Sequence, residues 1–323
     1  MKLTHFRDFM AVVETGSLRS AGRLLGIAQP VITRSIRELE HELGVTLFER
    51  HAKGARLTPL GERFARRVET FQNELRRARE EIGQMKGEES GEVSVTLSPV
   101  ACMSLMPVAL AAFTRNYPDG VVKIAESLFQ PVEKDILSGK IDFYVGPIDP
   151  SAVSAQFTAE LLFENRRRIV GRKEHPLRGA RDLSELVGAR WVRPTASPRS
   201  NTEVDFDTMF KRAGLPSPNI VVHARSSLIT VLAVAHTDML SVLPQQWVEF
   251  TPLGHLIEPF DLLEPMNAAS MYIVRRQGLP LTPMAEHLCD LIRKAGHNYH
   301  LSKMKREKIS LSTLEHALGS PGR

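Results

Sequence analysis

The most restrictive feature of this sequence is a pair of short amphipathic helices that only four residues separate. The segment SLRSAGRLL, residues 17–25, predicts the first helix. The second begins at Pro30 and ends at Gly44, because proline is tolerated in a first helical turn and glycine favours the position after a last one. Residues 26–29, GIAQ, form the turn between them. This spacing predicts a helix-turn-helix.

A third amphipathic helix precedes this pair. Residues 4–15 place Phe6, Phe9, Met10 and Val13 at the i, i+3, i+4 and i+7 positions of a helix. We therefore expect three helices in close succession at the N-terminus.

The second helix of the pair has one apolar and one polar face. With about 100° per residue, the apolar face carries Ile32, Ile36, Leu39 and Leu43, and the polar face carries Pro30, Thr33, Arg34, Arg37 and His41. On an isolated helix, solvation alone would explain such a polar face. In a helix-turn-helix the second helix enters the DNA major groove. We therefore predict that Thr33 and Arg34 approach base edges and that Arg37 neutralises a phosphate.

A short basic hairpin is predicted directly after these helices. Residues 47–58, LFERHAKGARLT, indicate two strands around a turn at residues 53–54. A basic hairpin by itself is more often a soluble sheet edge. Behind a helix-turn-helix it is typical of a wing, and we predict that Arg50, Lys53 and Arg56 contact the DNA backbone.

A long helix is predicted over residues 59–86. Its apolar positions are spaced 4, 3, 4, 3, 4 and 3 residues apart, which is a heptad seam, and they are Phe64, Val68, Phe71, Leu75, Ala78, Ile82 and Met85. The seam packs either on its own domain or against a second copy of the chain. Dense charge beside the seam favours a second copy, and a dimer would let two recognition helices read a pseudo-palindrome. Residues 87–91, GEESG, have a hinge composition.

Positive charge is concentrated where the predicted DNA-reading motif lies. The chain of 323 residues has a formal net charge of +5, and residues 1–67 alone carry +5, whereas residues 91–296 carry −1. Residues 68–90 carry −2 and residues 297–323 carry +3. A basic region in an otherwise nearly neutral chain is the electrostatic pattern of a nucleic-acid-binding domain. We expect double-stranded DNA as a partner.

From residue 91 onward, predicted strands alternate with predicted helices, which indicates a mainly parallel sheet. In such sheets ligands bind beyond the carboxyl ends of the strands. These ends are rich in hydroxyls and helix N-termini, which suit an anion, although a plain helix cap is the alternative role for any one serine. The predicted ligand-binding residues are Ser98, Val100, Ser127, Phe129, Pro147, Thr195 and Ser197. The predicted helices include residues 103–117, 202–213 and 283–294.

Signatures of the common enzyme classes are missing from the sequence. It contains no GxSxG, HExxH, Walker, GxGxxG or CxxC motif. The HNYH run at residues 297–300 could imitate a metal pair, but no further ligands accompany it. We expect no catalytic residue, no metal and no cofactor. The alternative is an enzymatic or solute-binding body tethered to DNA, but the predicted strand ends contain almost no Asp, Glu or His.

The cellular compartment of the protein is inferred from its cysteines and from the hydropathy of the sequence. Cys102 and Cys289 stand in no metal-ligand spacing, which indicates buried thiols in a reducing compartment. No signal peptide opens the chain, and no apolar run reaches the roughly 20 residues of a membrane helix. We expect a cytoplasmic protein without a membrane partner.

The sequence resembles the LysR-type transcriptional regulators. The likeness rests on the block FMAVVETGSLRSAGRLLGIAQPVITRSIRELEHELGVTLFERHAKGARLTPLGERF, on Ser98 before the LMP element, and on NYPDGVV and LSGKIDFYVG. It covers residues 2–296. The resemblance implies a multidomain chain with an all-α winged helix-turn-helix, a dimerising linker helix and a two-lobed α/β effector domain similar to periplasmic binding proteins. It also implies regulation of promoter binding by a small molecule, in assemblies that are often homotetramers.

The family pattern assigns roles by position. Gln29, Pro30, Thr33 and Arg34 match its groove-reading segment, Arg50 and the wing match its backbone contacts, and its cleft lies at Ser98, Val100, Phe129, Pro147, Thr195 and Ser197. The segments SPVACMSLMP and TASPRS are reminiscent of members that respond to aromatic or organic-acid effectors.

The resemblance also sets the expected domain boundaries. They are 1–58 for the DNA-binding domain, 59–86 for the linker helix, 87–91 for the hinge and 92–296 for the effector domain, with lobe I at about 92–163 and 268–296 and lobe II at about 164–267. Residues 297–323 depart from the family pattern. We expect a solvated basic tail there, or alternatively a helix that packs on a neighbour through Ile309, Leu311, Leu314 and Leu318.

Overall fold

The computed structural model describes residues 1–51, 54–194, 206–262 and 266–318. Within these ranges the side chains of Arg50, Thr251 and Leu253, and those of residues 206–207 and 305–318, are not described. The chain divides into two compact units, Met1–Gly83 with Leu137–Lys140 and Gln84–Ile136 with Ile141–Arg323. We call them the N-terminal unit and the regulatory unit and describe each by itself.

The N-terminal unit begins with the three predicted helices, α1 (Leu3–Thr15), α2 (Leu18–Leu25) and α3 (Gln29–Leu43). Ser17 caps α2 by accepting a hydrogen bond from the Ser20 amide at 3.1 Å. Each helix ends at a glycine with positive φ, as the sequence predicted. Their shared core contains the buried side chains Phe9, Val12, Ala21, Ile32, Ile36 and Leu39.

The wing follows as strands β1 (Phe48–His51) and β2 (Gly54–Leu57), which pair antiparallel. Gly54 is not a turn residue, as the sequence suggested, but a strand residue opposite His51. It has φ of 141°, and a Cβ there would clash with the Gly16 carbonyl oxygen. The neighbouring Ala55 amide donates to that same oxygen at 2.8 Å. The wing is therefore attached by its backbone to the turn between α1 and α2.

Helix α4 (Pro59–Met85) is the predicted long helix, and the Thr58 hydroxyl caps it by accepting from the Gly61 amide at 2.9 Å. The first half of its seam packs on its own domain: Val68 is buried and the Phe64 ring lies 5.2 Å from that of Phe9. Farther along, Ile82 is 55% exposed and Met85 is 76% exposed. The first half of the seam thus packs on its own domain, and its second half is exposed in the single chain.

The regulatory unit contains nine strands and eight α-helices among the described residues. The strands are β3 (Gly91–Leu97), β4 (Gly120–Glu126), β5 (Phe143–Pro147), β6 (Phe157–Arg172), β7 (Arg190–Pro194), β8 (Asn219–Ala224), β9 (Met239–Pro244), β10 (Ile257–Pro259) and β11 (Asn267–Arg276). The helices are α5 (Pro99–Ser104), α6 (Met106–Asn116), α7 (Phe129–Leu137), α8 (Phe206–Arg212), α9 (Ser227–Ala235), α10 (Gln246–Glu249), α11 (Thr251–Gly254) and α12 (Pro283–Leu318).

The sheet is mixed, not mainly parallel as the sequence suggested. Its order is β4-β3-β5-β11-β6-β9-β7-β8, and β10 pairs with β6. At one end of this order β4, β3 and β5 pair in parallel, and at the other end β9, β7 and β8 do so. Between them, β5 pairs antiparallel with β11, β11 with β6, and β6 with β9. Strand β6 pairs with β11 up to Arg166 and with β9 from Arg167 to Val170. The parallel ends are two lobes, and β6 and β11 are the strands that connect them.

Each lobe has its own core. Lobe I buries Val95, Leu97, Phe113, Phe143, Ile273 and Leu288. In lobe II, successive residues of β6 and β7 point to opposite faces of the sheet, with Ile169 and Trp191 in one cluster and Val170 and Val192 in the other.

Three predicted helices differ from those observed. The predicted helix 103–117 is two helices that meet at Leu105, because Pro107 has no N–H to continue the ladder. In place of the predicted helix 202–213, α8 covers Phe206–Arg212, and residues 202–205 lie outside the described part. Helix α12 does not stop near residue 294 but continues to Leu318, so the described part of the predicted tail is helical.

Candidate functional site

The polar face of α3 is open to solvent in the N-terminal unit. Gln29, Pro30, Arg34 and Arg37 are exposed and Thr33 is half-buried. The Thr33 hydroxyl donates to the Gln29 carbonyl at 3.0 Å. Four of the five α3 positions that the sequence predicts to contact DNA are thus exposed to solvent.

Arg34 is held along the helix surface. Its Nε donates to Glu38 Oε1 at 2.7 Å, while its side chain remains 83% exposed. This hydrogen bond, together with the positive charge of Arg34, holds the pKa of the Glu38 carboxyl below its usual value. Glu38 also lies 3.5 Å from the buried His5 imidazole. A base edge that binds Arg34 must therefore compete with a carboxylate one turn away.

The wing is fixed to α3 by Glu40. Its Oε1 accepts hydrogen bonds from the backbone amides of Leu47, at 2.7 Å, and Phe48, at 3.1 Å. No sequence pattern predicts this role for Glu40, because a glutamate on a helix surface usually faces solvent. Arg56 is exposed and stands opposite Glu49 in the hairpin. The side chain of Arg50 and all of Lys53 lie outside the described part of the chain.

The second candidate site is a cleft of about 120 Å³ between the lobes of the regulatory unit. Its lobe I side is formed where β3, β4 and β5 end. The Ser98 amide donates to the Val145 carbonyl at 2.8 Å, and its hydroxyl accepts from the Ala101 amide at 3.3 Å to cap α5. The Ser127 amide donates to the Leu97 carbonyl at 3.1 Å. These bonds fix the three strand ends next to one another.

The cleft lining is mainly apolar. Lobe I contributes Ser98, Pro99, Val100, Leu128 and Pro147; lobe II contributes Pro194, Ser227, Val242, Leu243, Pro244 and Trp247; the crossing strands contribute Asn165, Arg167, Ala268 and Ala269. Among these residues Arg167 is the one cation, and none is Asp, Glu or His. A lining of this kind suits ligand binding.

The structure places the predicted cleft residues at different locations. Ser98, Val100 and Pro147 line the cleft, and Ser127 lines an adjoining pocket with Glu126 and Arg225. Phe129 is not among the described lining residues of either pocket: it is 8% exposed, and its ring lies 5.5 Å from that of Tyr144. Thr195 and Ser197 lie outside the described residues.

Several cleft residues were missed by sequence reasoning. Asn165 and Arg167 lie where β6 stops pairing with β11 and begins to pair with β9. They were missed because the first half of β6 was not predicted. Trp247 follows β9 on a four-residue helix, which has no periodicity to detect. Its neighbour Gln246 is 2% exposed, and neither polar atom of its side chain has a hydrogen-bond partner. Burying an amide in this way costs about 1–3 kcal/mol.

The two cysteines take no part in either site. Burial raises the pKa of the Cys289 thiol to about 12 and that of Cys102 to about 11, and both are free thiols in or beside the lobe I core. Within the described part of the chain, no helix has the length and apolar character to cross a membrane.

We predict that Glu40→Ala loosens the wing. It removes the carboxylate that accepts two backbone amides, and hydrogen bonds to a charged group contribute about 1.5–3 kcal/mol. Hydrogen exchange of peptides covering β1 and β2 should become faster by at least about tenfold, with little change in α6. Glu14→Ala removes an equal charge from an exposed position without such bonds and serves as the control. Equal protection of the wing in both variants would refute the role of Glu40.

Two known protein families match this chain, one in each of its two main regions. Residues 3–62 match the family described as bacterial regulatory helix-turn-helix protein, lysR family. Residues 86–296 match the LysR substrate binding domain, and this match alone covers more than half of the chain.

Similar proteins span nearly the whole chain. The transcriptional regulator GbpR of Azospirillum brasilense is 27% identical over 311 residues, which cover 95% of this chain and 89% of GbpR. GalR of Pseudomonas putida is 26% identical over 287 residues, covering 88% and 72%. The structure of full-length CbnR with its target DNA is 19% identical, with a TM-score of 0.66 over 91% of this chain and 100% of CbnR, and supports the fold. The chain therefore belongs to the LysR family of DNA-binding transcriptional regulators with an effector-binding domain.

Proposed function

We propose that this regulator responds to a small organic acid or aromatic compound held in the cleft between its lobes. The observation that carries this proposal is the cleft lining, in which one arginine stands among prolines, aliphatic side chains and Trp247. An aromatic or aliphatic body would pack on the apolar lining, and a carboxylate would pair with the Arg167 guanidinium. The Ser98 and Ser227 side chains offer further hydrogen bonds.

Trp247 provides a direct test. The chain has two tryptophans, and only Trp247 lines the cleft, because Trp191 is fully buried in the lobe II core. We expect benzoate to change the fluorescence of the full-length protein and Trp247→Phe to remove that change. Benzamide keeps the ring without the charge and should bind at least about tenfold more weakly. Succinate supplies carboxylates without a ring.

Arg167→Met is the matched variant for this titration. It keeps much of the arginine stem but removes the guanidinium, so the preference for benzoate over benzamide should disappear. Lack of any saturable signal from benzoate, benzamide and succinate would contradict the proposed effector class. An unchanged preference in Arg167→Met would contradict the role of Arg167.

DNA recognition is assigned to the exposed face of α3 and to the wing. In this proposal Gln29, Pro30, Thr33 and Arg34 contact base edges, and Arg37, Arg50, Lys53 and Arg56 contact phosphates. The exposure of α3 and the +5 charge of residues 1–67 support it.

We predict that Arg37→Ala weakens binding to all DNA sequences alike. Loss of one phosphate contact should reduce the slope of log K against log salt concentration by about one. Arg178→Ala, at an exposed position of the regulatory unit, changes the net charge equally and should leave the slope unchanged. The measurement is a fluorescence anisotropy titration of duplex DNA at several salt concentrations. A shared loss of slope in both variants would show that only net charge matters.

We propose that the chain forms a dimer through the exposed half of the α4 seam. Phe71, Ala78, Ile82 and Met85 are exposed in the single chain and recur at heptad spacing. The regulatory unit has further exposed apolar side chains, among them Val121 on β4 and Ile229 on α9. A second contact through such surfaces would join dimers into the homotetramer that we propose.

Ile82→Glu should dissociate the dimer. It places a charge in the seam, and sedimentation velocity at micromolar concentration should show a shift toward monomer. Glu81→Gln, at the adjacent position outside the seam, should leave the distribution unchanged. An unaltered assembly in Ile82→Glu would place the dimer interface elsewhere.

We further propose that the effector acts by population shift in the cytoplasm, where the promoter DNA is located. It must bind one arrangement of the assembly more tightly than another, and DNA must favour the arrangements unequally as well.

A further inference from the structure

Helix α12 extends beyond the region that the family pattern covers. The match to the LysR substrate binding domain ends at residue 296, whereas the helix continues to Leu318. Gly296, Tyr299 and Lys303 are spaced three and four residues apart and share one helix face. That face lies on the crossing strand β6.

The contacts with β6 are close. A Cβ at Gly296 would meet the Leu162 side chain at 3.3 Å, so the glycine allows the helix to approach the strand. The Tyr299 ring packs on Phe163 with their centroids 4.8 Å apart. Lys303 Nζ lies 3.5 Å from the Glu164 carbonyl oxygen. The first turns of the extension thus follow the segment of β6 that leads into lobe II.

The same helix is firmly attached to lobe I. Met284, Leu288 and Cys289 are buried in the lobe I core. Arg293, one turn before the extension, donates to both carboxylate oxygens of Glu160 on β6, at 2.6 and 3.0 Å. Tyr299 therefore projects from a helix whose position is fixed by lobe I.

The hydroxyl of Tyr299 reaches lobe II. It donates to Glu249 Oε2 at 2.7 Å, and Glu249 Oε1 accepts from Gln245 Nε2 at 2.6 Å. Glu249 ends helix α10, which also carries Trp247 of the cleft wall. A hydrogen bond to a carboxylate is among the stronger side-chain contacts. One side chain thus connects the lobe I helix to the wall of the cleft.

We propose that Tyr299 is a positioning residue that latches the α10 wall of the cleft to lobe I and so pre-organises the effector site. This inference rests on the proposed function only in assigning an effector to the cleft; the latch itself is a property of the protein without ligand. Loss of the latch should increase local opening of α10 and weaken ligand binding, because a wall that is already in place loses less freedom on binding.

Tyr299→Phe is the decisive variant, because it keeps the ring on Phe163 and removes only the hydroxyl. In the full-length protein without ligand, we expect hydrogen exchange of the amides of Val248 in α10 and of Phe250 directly after it to become about tenfold faster. Glu249→Gln retains an acceptor oxygen and should give a smaller increase. Tyr117→Phe removes a tyrosine hydroxyl from another part of lobe I and should leave α10 unchanged.

Ligand binding gives the second measurement. Benzoate titrations followed by Trp247 fluorescence should show a Kd at least about threefold higher in Tyr299→Phe than in Tyr117→Phe. Wild-type exchange of α10 in Tyr299→Phe, or equal increases in both tyrosine variants, would overturn the latch. So would faster exchange with an unchanged benzoate Kd, because the latch would then not organise the cleft. If benzoate fails to bind even the wild type, the proposed effector class fails, and the exchange comparison alone still decides whether the latch exists.

Discussion

The register of two antiparallel strands determines the geometry of the regulatory unit. β6 and β11 pair along most of their length, and β6 then continues into lobe II beside β9. Because backbone hydrogen bonds fix this register, Asn165 and Arg167 are held between the lobes, and a slip by one residue would turn both side chains to the other face. The cleft is therefore built on rigid strands. The same strand presents Phe163 to Tyr299, so the latch depends on the register as well.

The N-terminal unit achieves comparable rigidity with short elements. α3 offers its polar face to solvent while its apolar face is buried, and Glu40 connects the far end of that helix to the wing through two backbone amides. The wing is attached a second time where Ala55 donates to the Gly16 carbonyl. Helix α3 and the wing are thus positioned relative to each other in the protein without DNA. Pre-organisation of this kind lowers the ordering cost of binding.

Elements with strong local signals were predicted well. α2, α3 and the start of α4 have caps or apolar periodicity within their own sequence, and the structure confirms their positions. The first half of β6 was missed because its pairing with β11 joins residues about one hundred positions apart in the chain. Trp247 was missed for the same reason: only the folding of α10 onto lobe II brings it to the cleft. Phe129 was misplaced because position at a strand end does not say whether a ring faces the cleft or the core.

The sequence by itself determined the family, the helix-turn-helix, the wing, the seam and the basic N-terminal region, since each depends on residue types at short, fixed spacings. Only the tertiary structure decided which side chains line the cleft, how far the final helix extends, and that Tyr299 bonds to Glu249. These features depend on contacts between segments distant in sequence, and the energy of such contacts is defined only once the backbone has brought both partners together.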